Sequence, residues 1–285
     1  MHRPVFKAAS FAAAVLFHAQ PGLSETPLER GTYLVTAVAG CANCHTPLSE
    51  TGRPIPGMRF AGGRVFDTPV FRAVSANITE DKETGIGNWT DAQIINAIRN
   101  GKRPDGTTIG PPMPAPFFRY MSDTDVQAIV AYLRTVKPVH NAVAKSTYKI
   151  PLPIAYGPVV MHVPDVPPGD KVAYGRYLAI GVATCMDCHT PDVHGRADMS
   201  RIGAGGNLYQ SPVGGLIASA NLTPGNPQGI ATWTDDQVKT AITTGKRPDR
   251  PLVPLMPFDD FKHMTLADLD AIVAYLRTLK PVRSE

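Results

Sequence analysis

The four cysteines of this chain form two copies of one pattern, CANCH at Cys41–His45 and CMDCH at Cys185–His189. Each copy holds two thiols three residues apart, with a histidine directly after the second. At the start of a helix, two such thiols can add to both vinyl groups of one porphyrin, and the histidine then lies beneath the ring, where it can bind iron. The pattern predicts two covalently bound haem c groups, one on Cys41, Cys44 and His45 and one on Cys185, Cys188 and His189.

Three other chemistries use the same residue types. A thiol redox site needs neither the adjacent histidine nor a second copy. A zinc site could use two cysteines and a histidine, but each copy would need a fourth ligand from elsewhere. A disulfide within either motif would close a short, strained loop with little gain in stability. Because all four cysteines belong to two identical motifs, haem attachment is favoured over these alternatives.

A methionine on the opposite face of the iron would produce an electron carrier of raised potential, whereas an open face would allow ligand binding or peroxide chemistry. Two methionine pairs recur, Met113 with Met256 and Met121 with Met264. The second pair precedes predicted helix N-caps, where an apolar residue packs against the first turn. The first pair lies in proline-flanked segments that serve no predicted helix or strand. Met113 and Met256 are therefore the predicted iron ligands, so that the predicted metal ligands are His45, Met113, His189 and Met256.

Other residues recur beside these motifs and allow two interpretations. Asn77 and Asn221 could orient a haem propionate or form a turn, and the turn is favoured. Trp89 and Trp233 could reach a propionate or belong to the core. Arg103 and Arg247 are expected to face solvent. Four tyrosines are expected to pack where the first and last helices of each copy cross: Tyr33, Tyr132, Tyr177 and Tyr275.

These motifs belong to a longer internal repeat, with an offset of 144 residues that later becomes 143. Asn77-Ile-Thr matches Asn221-Leu-Thr, and the heptapeptide beginning at Ile129 reappears unchanged from Ile272. Each copy is long enough to form a domain. The sequence therefore predicts a domain over 25–138, a proline-rich linker over 139–171 that could lie along a domain surface, and a second domain over 172–285.

Few helices are predicted in each repeat. The first covers Leu28–Ala39, the second begins after Thr90 with Gln93 completing a capping box and stops at Gly101, and the third runs from Ser122 to about Lys137. No segment has a clear strand alternation. The expected fold is mostly α with long loops, and its β content should be minor.

The first 24 residues have a short basic start, an uncharged apolar run from Ala8 to Phe17, and small residues after it. This is typical of a secretory signal peptide and too short for a membrane span. We expect a periplasmic protein with no transmembrane segment in the mature chain, although peripheral membrane association stays open. Removal of Arg3 and Lys7 lowers the net charge of +4 to about +2, which the propionates of two haems would cancel, so a nucleic-acid partner is not indicated.

The early helix, CxxCH, a later Met-Pro and a final helix ending in Ala-Tyr-Leu resemble class I cytochromes c, and the resemblance covers both repeats. More narrowly, Asn77-Ile-Thr, the segment Gly85–Asp91, Pro112-Met-Pro and the segment from Ile129 to Arg134 resemble cytochrome subunits of periplasmic alcohol, aldehyde, gluconate and nicotinate-type dehydrogenases. The resemblance implies two tandem class I cytochrome c domains with His/Met ligation. It also implies electron transfer from a dehydrogenase to a quinone, another cytochrome or an oxidase.

The expected function is electron transfer by a di-haem c-type cytochrome or dehydrogenase cytochrome subunit, rather than catalysis by a stand-alone enzyme, and no catalytic residue is predicted. The partners would be an electron-donor dehydrogenase and an acceptor protein or quinone-linked complex. The alternative is a di-haem redox enzyme of the peroxidase or thiosulfate dehydrogenase type, which would need one open or displaceable iron ligand. A resting high-spin haem signal would distinguish it.

Overall fold

The structure is a computed structural model and describes residues 25–211, 214–227 and 229–283. The predicted signal peptide over 1–24 lies outside these residues. Ten α-helices and seven short strands occur in the part described, so the prediction of a mostly α fold with little β structure is confirmed. Within that part, no helix combines the length and the apolar character needed to cross a lipid bilayer.

The two repeats contain the same helices in the same order. The first repeat contains α1 (Pro27–Tyr33), α2 (Cys41–His45), α3 (Asp91–Asn100), α4 (Ala115–Phe118) and α5 (Asp123–Leu133). The second contains α6 (Lys171–Tyr177), α7 (Cys185–His189), α8 (Asp235–Thr244), α9 (Phe258–Phe261) and α10 (Leu266–Arg277). A short π-helical segment prolongs each first helix, at Leu34–Val38 and Leu178–Val182. Such segments are rare and often lie near functional sites.

The predicted capping signals start and stop the second helix of each repeat. The Thr90 hydroxyl accepts a hydrogen bond from the Gln93 N–H at 3.2 Å, and the Gln93 side chain accepts one from the Thr90 N–H at 2.8 Å. Thr234 and Gln237 repeat this capping box. Gly101 ends α3 with a φ of 62°, a left-handed conformation that favours glycine. The prediction of this helix is confirmed at both ends.

Two helix predictions differ from the structure. The third helix was expected to reach about Lys137, but α5 ends at Leu133 and a turn follows. The Arg134 guanidinium instead donates to the Trp89 carbonyl at 2.6 Å and pairs with Asp91 at 2.7 Å, which holds the end of α5 against the start of α3. The one-turn helices α4 and α9 were not predicted, because four residues are too few to show a helical period.

The strands form small antiparallel sheets beside the helices. In the first repeat, β1 (Val65–Asp67) pairs with β2 (Phe71–Val74), and β3 (Thr147–Tyr148) joins the other side of β2. In the second repeat, β4 (Asp192–Val193) pairs with β5 (Arg196–Ala197), and β6 (Leu208–Gln210) with β7 (Leu216–Ala218). Strands of two to four residues carry almost no alternation, so their positions could not be predicted.

The proline-rich segment 139–171 follows the surface of the first repeat. It contributes β3 to that repeat's sheet, and the Tyr156 hydroxyl donates to the Ile109 carbonyl at 2.8 Å. Farther along, the Val160 N–H donates to the Asn100 side chain at 2.9 Å, and the Thr124 hydroxyl donates to Asp165 at 2.7 Å. These bonds explain how a segment without helices keeps a defined path.

A single cluster of buried apolar side chains runs through both repeats. In each repeat the first helix packs along the last one, α1 on α5 and α6 on α10. The π-helical segments also touch each other across the boundary between repeats. The repeats are therefore packed together through a common core.

Two tyrosines cross that boundary in nearly symmetric positions. The Tyr33 hydroxyl donates to Asp268 at 2.6 Å, and the Tyr177 hydroxyl donates to Asp125 at 2.5 Å. Burial raises the pKa of both phenols well above the usual range, and the neighbouring carboxylates raise it further. Tyr132 packs at the helix crossing as expected, 3.1 Å from the position of a Cβ on Gly31. The hydroxyls of Tyr33 and Tyr177 reach the other repeat, which the sequence did not indicate.

Replacing Tyr177 by phenylalanine is expected to lower the free energy of unfolding by about 1–3 kcal/mol, because a buried carboxylate and the Ser122 N–H lose their common partner. Chemical denaturation measures the change. The control is Tyr120→Phe, since that side chain is half exposed. Equal stability of the two variants would contradict a bonding role for the Tyr177 hydroxyl.

Candidate functional site

The helices α2 and α7 carry the CxxCH motifs, and a left-handed residue precedes each. Gly40 has a φ of 58°, and a Cβ there would lie 3.1 Å from the Asp260 carboxylate of the other repeat. Both features favour glycine at this position. Its counterpart Thr184 adopts a φ of 48°, which is unfavourable for a β-branched residue. This backbone turn sets the direction in which the motif leaves the π-helical segment.

All four cysteines are free thiols in the structure. Burial raises the pKa of Cys41 and of Cys185 to about 12 and that of Cys188 to about 11. The thiols are therefore protonated at neutral pH, unlike those of a reactive thiol redox site, whose pKa is lowered.

Each motif histidine makes the same hydrogen bond. His45 Nδ1 donates to the Ala76 carbonyl at 2.7 Å, and His189 Nδ1 donates to the Ala220 carbonyl at 2.8 Å. Burial lowers the pKa of both imidazoles, which favours the neutral form. A carbonyl bound at Nδ1 fixes the tautomer and leaves Nε2 free with its lone pair, which is the usual arrangement of a metal-binding histidine.

The two methionine pairs differ in burial. Met121 is fully buried and Met264 is 7% exposed, as expected for side chains that pack beneath the helix N-caps. Met113 and Met256 are only partly buried and pack against the common core. Each begins a tight turn, in which its carbonyl accepts a hydrogen bond from the residue two positions on, at 2.9 Å for Met113 and 2.8 Å for Met256.

The methionine turn of one repeat packs against the attachment motif of the other. A Cβ on Gly40 would lie 3.6 Å from Pro257, the residue after Met256, and α9 contacts the π-helical segment of the first repeat. In the reciprocal contact, α4 touches the π-helical segment before Cys185. The surroundings of each candidate site therefore include both repeats.

The remaining repeated residues have mainly structural partners. Asn77 is buried, accepts hydrogen bonds from the Thr79 N–H and hydroxyl at 3.0 and 2.7 Å, and donates to the Val139 carbonyl at 2.8 Å, which confirms the turn. Trp89 and Trp233 are partly buried against the core.

The prediction that the two repeated arginines face solvent is wrong for Arg247, which stacks over the Trp233 ring at 5.3 Å. Arg103 is partly buried and donates to the Thr108 carbonyl of its own loop at 3.1 Å.

These donors fit covalently attached haem in each repeat. Two free thiols on one helical turn would form the thioether bonds, the adjacent histidine would offer a free Nε2 to iron, and a partly buried thioether is available on a rigid turn. Among the residues described, no three His, Cys, Asp or Glu side chains converge on a point.

Comparison with known proteins agrees with this chemistry. A family model described as cytochrome c matches residues 28–137 and 172–280. The chain is 36% identical over 254 residues to the cytochrome c subunit of a quinone alcohol dehydrogenase from Gluconobacter oxydans, covering 84% of this chain and 50% of that protein. It is 33% identical over 274 residues to a fructose dehydrogenase cytochrome subunit from Gluconobacter japonicus, covering 90% and 53%.

A shorter relative is a diheme c-type cytochrome from Cereibacter sphaeroides, 29% identical over 258 residues, with 85% of this chain and 83% of that protein covered. The chain spans about half the length of the two dehydrogenase subunits and most of the length of this third protein. Because the family model covers both repeats, this chain belongs to the cytochrome c family, as two tandem cytochrome c domains that bind two covalently attached haem c groups.

Proposed function

We propose that this chain is an exported electron carrier in which each repeat holds one haem c between a histidine and a methionine. Cys41, Cys44, His45 and Met113 would hold the first haem, and Cys185, Cys188, His189 and Met256 the second. The hydrogen bond from histidine Nδ1 to a backbone carbonyl carries the proposal, because it occurs in both repeats and leaves Nε2 free for iron. The bound haems supply reversible one-electron chemistry, and methionine as the second ligand raises their potential.

The donor in this proposal is a dehydrogenase and the acceptor is a quinone-linked complex, another cytochrome or an oxidase. The relatives named as cytochrome subunits of alcohol and fructose dehydrogenases support the donor class. We assign the chain to the periplasm, with a signal peptide over 1–24, a first domain over 25–138, a linker over 139–171 and a second domain over 172–285. Covalent haem attachment and the apolar start of the chain support export.

The Met113→Ala variant tests the ligand assignment in the first repeat. It is expected to lose about half of the methionine-to-iron charge-transfer absorption of the oxidised protein, because one of two thioether ligands is gone. Met256→Ala should remove the other half, and the double variant all of it. Absorption and electron paramagnetic resonance spectra of the oxidised protein measure this change.

The matched control is Met161→Ala, since Met161 is 80% exposed on the linker and should leave the spectrum unchanged. An intact charge-transfer band in the Met113→Ala, Met256→Ala double variant would refute the assignment. A high-spin signal in the unmodified resting protein would instead indicate an open iron position and a redox enzyme.

A further inference from the structure

The two haem-attachment sites carry different charges at equivalent positions. The residue before the second cysteine is the neutral Asn43 in the first motif and the acidic Asp187 in the second. Asp187 is partly buried and lies on the five-residue helix α7, directly before Cys188.

A second difference lies on the loop that returns beneath each motif. The Gly62 N–H donates to the His45 carbonyl at 2.8 Å, and the Gly205 N–H donates to the His189 carbonyl at 2.8 Å. Two residues after each glycine, the Arg64 N–H donates to the Ser75 hydroxyl at 3.0 Å, and the Asn207 N–H donates to the Ser219 hydroxyl at 3.1 Å. These matching bonds establish that Arg64 of the first repeat is the structural equivalent of Asn207 in the second.

Arg64 brings a positive charge to the first motif. Its guanidinium donates to the Asn43 backbone carbonyl and to the Asn43 side-chain oxygen, the latter at 3.2 Å. These contacts place the positive charge of Arg64 against the residue that precedes Cys44. Asn207 makes the corresponding contact with neutral amide hydrogens, donating to the Cys188 carbonyl at 3.1 Å.

The other charges near the first site oppose one another. Asp260 of the second repeat acts on Cys41 and Cys44, and Arg59 acts on Cys41 with the opposite sign. Asp187 also reaches Cys44, but as the weakest of the charges that act on it.

The second site has no such balance. The residue before Cys188 is the acidic Asp187, and the neutral Asn207 stands where the first repeat has Arg64. The counterpart of Asp260 in the first repeat is Phe117, a buried apolar side chain on α4. The second attachment site is therefore the more negative of the two.

Charges next to the cysteine sulfurs lie close to the porphyrin edge, because each sulfur would be bonded to that edge. Oxidised haem iron carries one more positive charge than reduced iron, so a nearby cation favours the reduced form and a nearby anion the oxidised form. We propose that the haem of the first repeat has the higher reduction potential, and that Arg64 and Asp187 set this order. The inference rests on the proposed two-haem electron-transfer function and adds a direction to it.

Under this order, the second repeat receives electrons and the first repeat passes them on. Each internal transfer oxidises the haem on Cys185 and Cys188 by one electron and reduces the haem on Cys41 and Cys44 by one electron. The donor then contacts the second repeat, and the acceptor contacts the first.

Potentiometric titration of the two-haem protein tests the proposal through two variants. Arg64→Asn gives the first repeat the residue of the second and should lower the upper of the two potentials. Asp187→Asn gives the second repeat the residue of the first and should raise the lower potential. Each change is expected to alter the equilibrium constant for electron transfer between the two haems about tenfold, which corresponds to a shift of about 59 mV in one reduction potential.

The two reduction potentials, measured as two one-electron waves, should therefore lie closer together in each variant and closest in the Arg64→Asn, Asp187→Asn double variant. Glu25→Gln and Lys145→Gln are controls, since each removes one charge from an exposed position and should move neither wave by a comparable amount. If Arg64→Asn moves the lower wave, or Asp187→Asn the upper one, the order is reversed and the proposal fails. It also fails if neither wave moves in a variant whose thermal unfolding matches that of the unmodified protein. A protein without two one-electron waves would contradict the proposed function itself, which is a separate outcome.

Discussion

Replacing both Cys185 and Cys188 by serine is expected to yield a mature protein that carries one haem instead of two. Serine cannot form a thioether bond, and His189 alone would leave the porphyrin without covalent attachment. Loss of this haem should also destabilise the protein by more than about 4–5 kcal/mol and lower its thermal transition, because the five-residue helix α7 would lose the porphyrin it packs on and the two repeats share one core. Intact-mass spectrometry measures the haem count, and circular dichroism measures the transition.

The matched variant Cys41→Ser/Cys44→Ser should show the same loss of one haem, now from the first repeat. Its effect on stability should be smaller, because segment 139–171 adds hydrogen bonds to that repeat through β3, Tyr156 and Val160. A mature protein that keeps the mass of two haems in either variant would contradict covalent attachment at the altered motif.

Local signals in the sequence predicted most of what positions the candidate site. The capping box of Thr90 and Gln93 and the stop at Gly101 involve residues close in the chain, so their geometry follows from residue type and spacing. The repeat then extended each inference to a second copy. The buried position of Met121 and the partly buried position of Met113 follow from the same local reasoning.

Contacts between the repeats could not be predicted in this way. Tyr33 bonds Asp268, which is 235 positions away, and no spacing within one repeat indicates that partner. Equivalent positions of the two repeats can also hold different residues. Arg30 of the first repeat corresponds to Tyr174 of the second, and the Arg30 guanidinium donates to the Tyr174 hydroxyl across the boundary at 3.3 Å. As a result, the two interface carboxylates have different partners. Asp125 pairs with Arg30 at 2.7 Å and also accepts a hydrogen bond from Tyr177. Asp268 accepts one from the Tyr33 hydroxyl.

The packing of the methionine turns also depends on both repeats. The α9 turn after Met256 supplies Asp260 to the surroundings of Cys41, while α4 supplies the apolar Phe117 to the other side. Two motifs with the same local sequence pattern thereby acquire different electrostatic surroundings. The contribution of Asp260 becomes visible only once the two repeats are packed together, because this residue lies in the repeat opposite to Cys41.

A single methyl group on Gly175 is expected to destabilise the second repeat by about 3 kcal/mol or more. Helix α6 crosses α10 so closely that a Cβ on Gly175 would lie 1.8 Å from the Ala271 carbonyl oxygen and 2.3 Å from its carbon. Both are backbone atoms of a helix and cannot move as a flexible side chain would, so the helices must separate and the core between them must open. Overpacking usually lowers the free energy of unfolding by about 1–3 kcal/mol, and we expect this change to lie at or above the upper end of that range. Thermal or chemical unfolding of Gly175→Ala measures the loss.

Gly31→Ala is the equivalent change in the first repeat, where the Cβ would lie 1.9 Å from the Ala128 carbonyl oxygen. Gly169→Ala is the control, because a Cβ there meets no atom within 4 Å and its φ lies outside the left-handed region. There alanine should be neutral or stabilise by up to about 1 kcal/mol, through the lower entropy of the unfolded chain. The losses at Gly175 and Gly31 share one cause, the short distance between the helix axes at each crossing, which glycine alone permits. A Gly175→Ala protein as stable as the Gly169→Ala protein would show that α6 and α10 are farther apart than the structure describes.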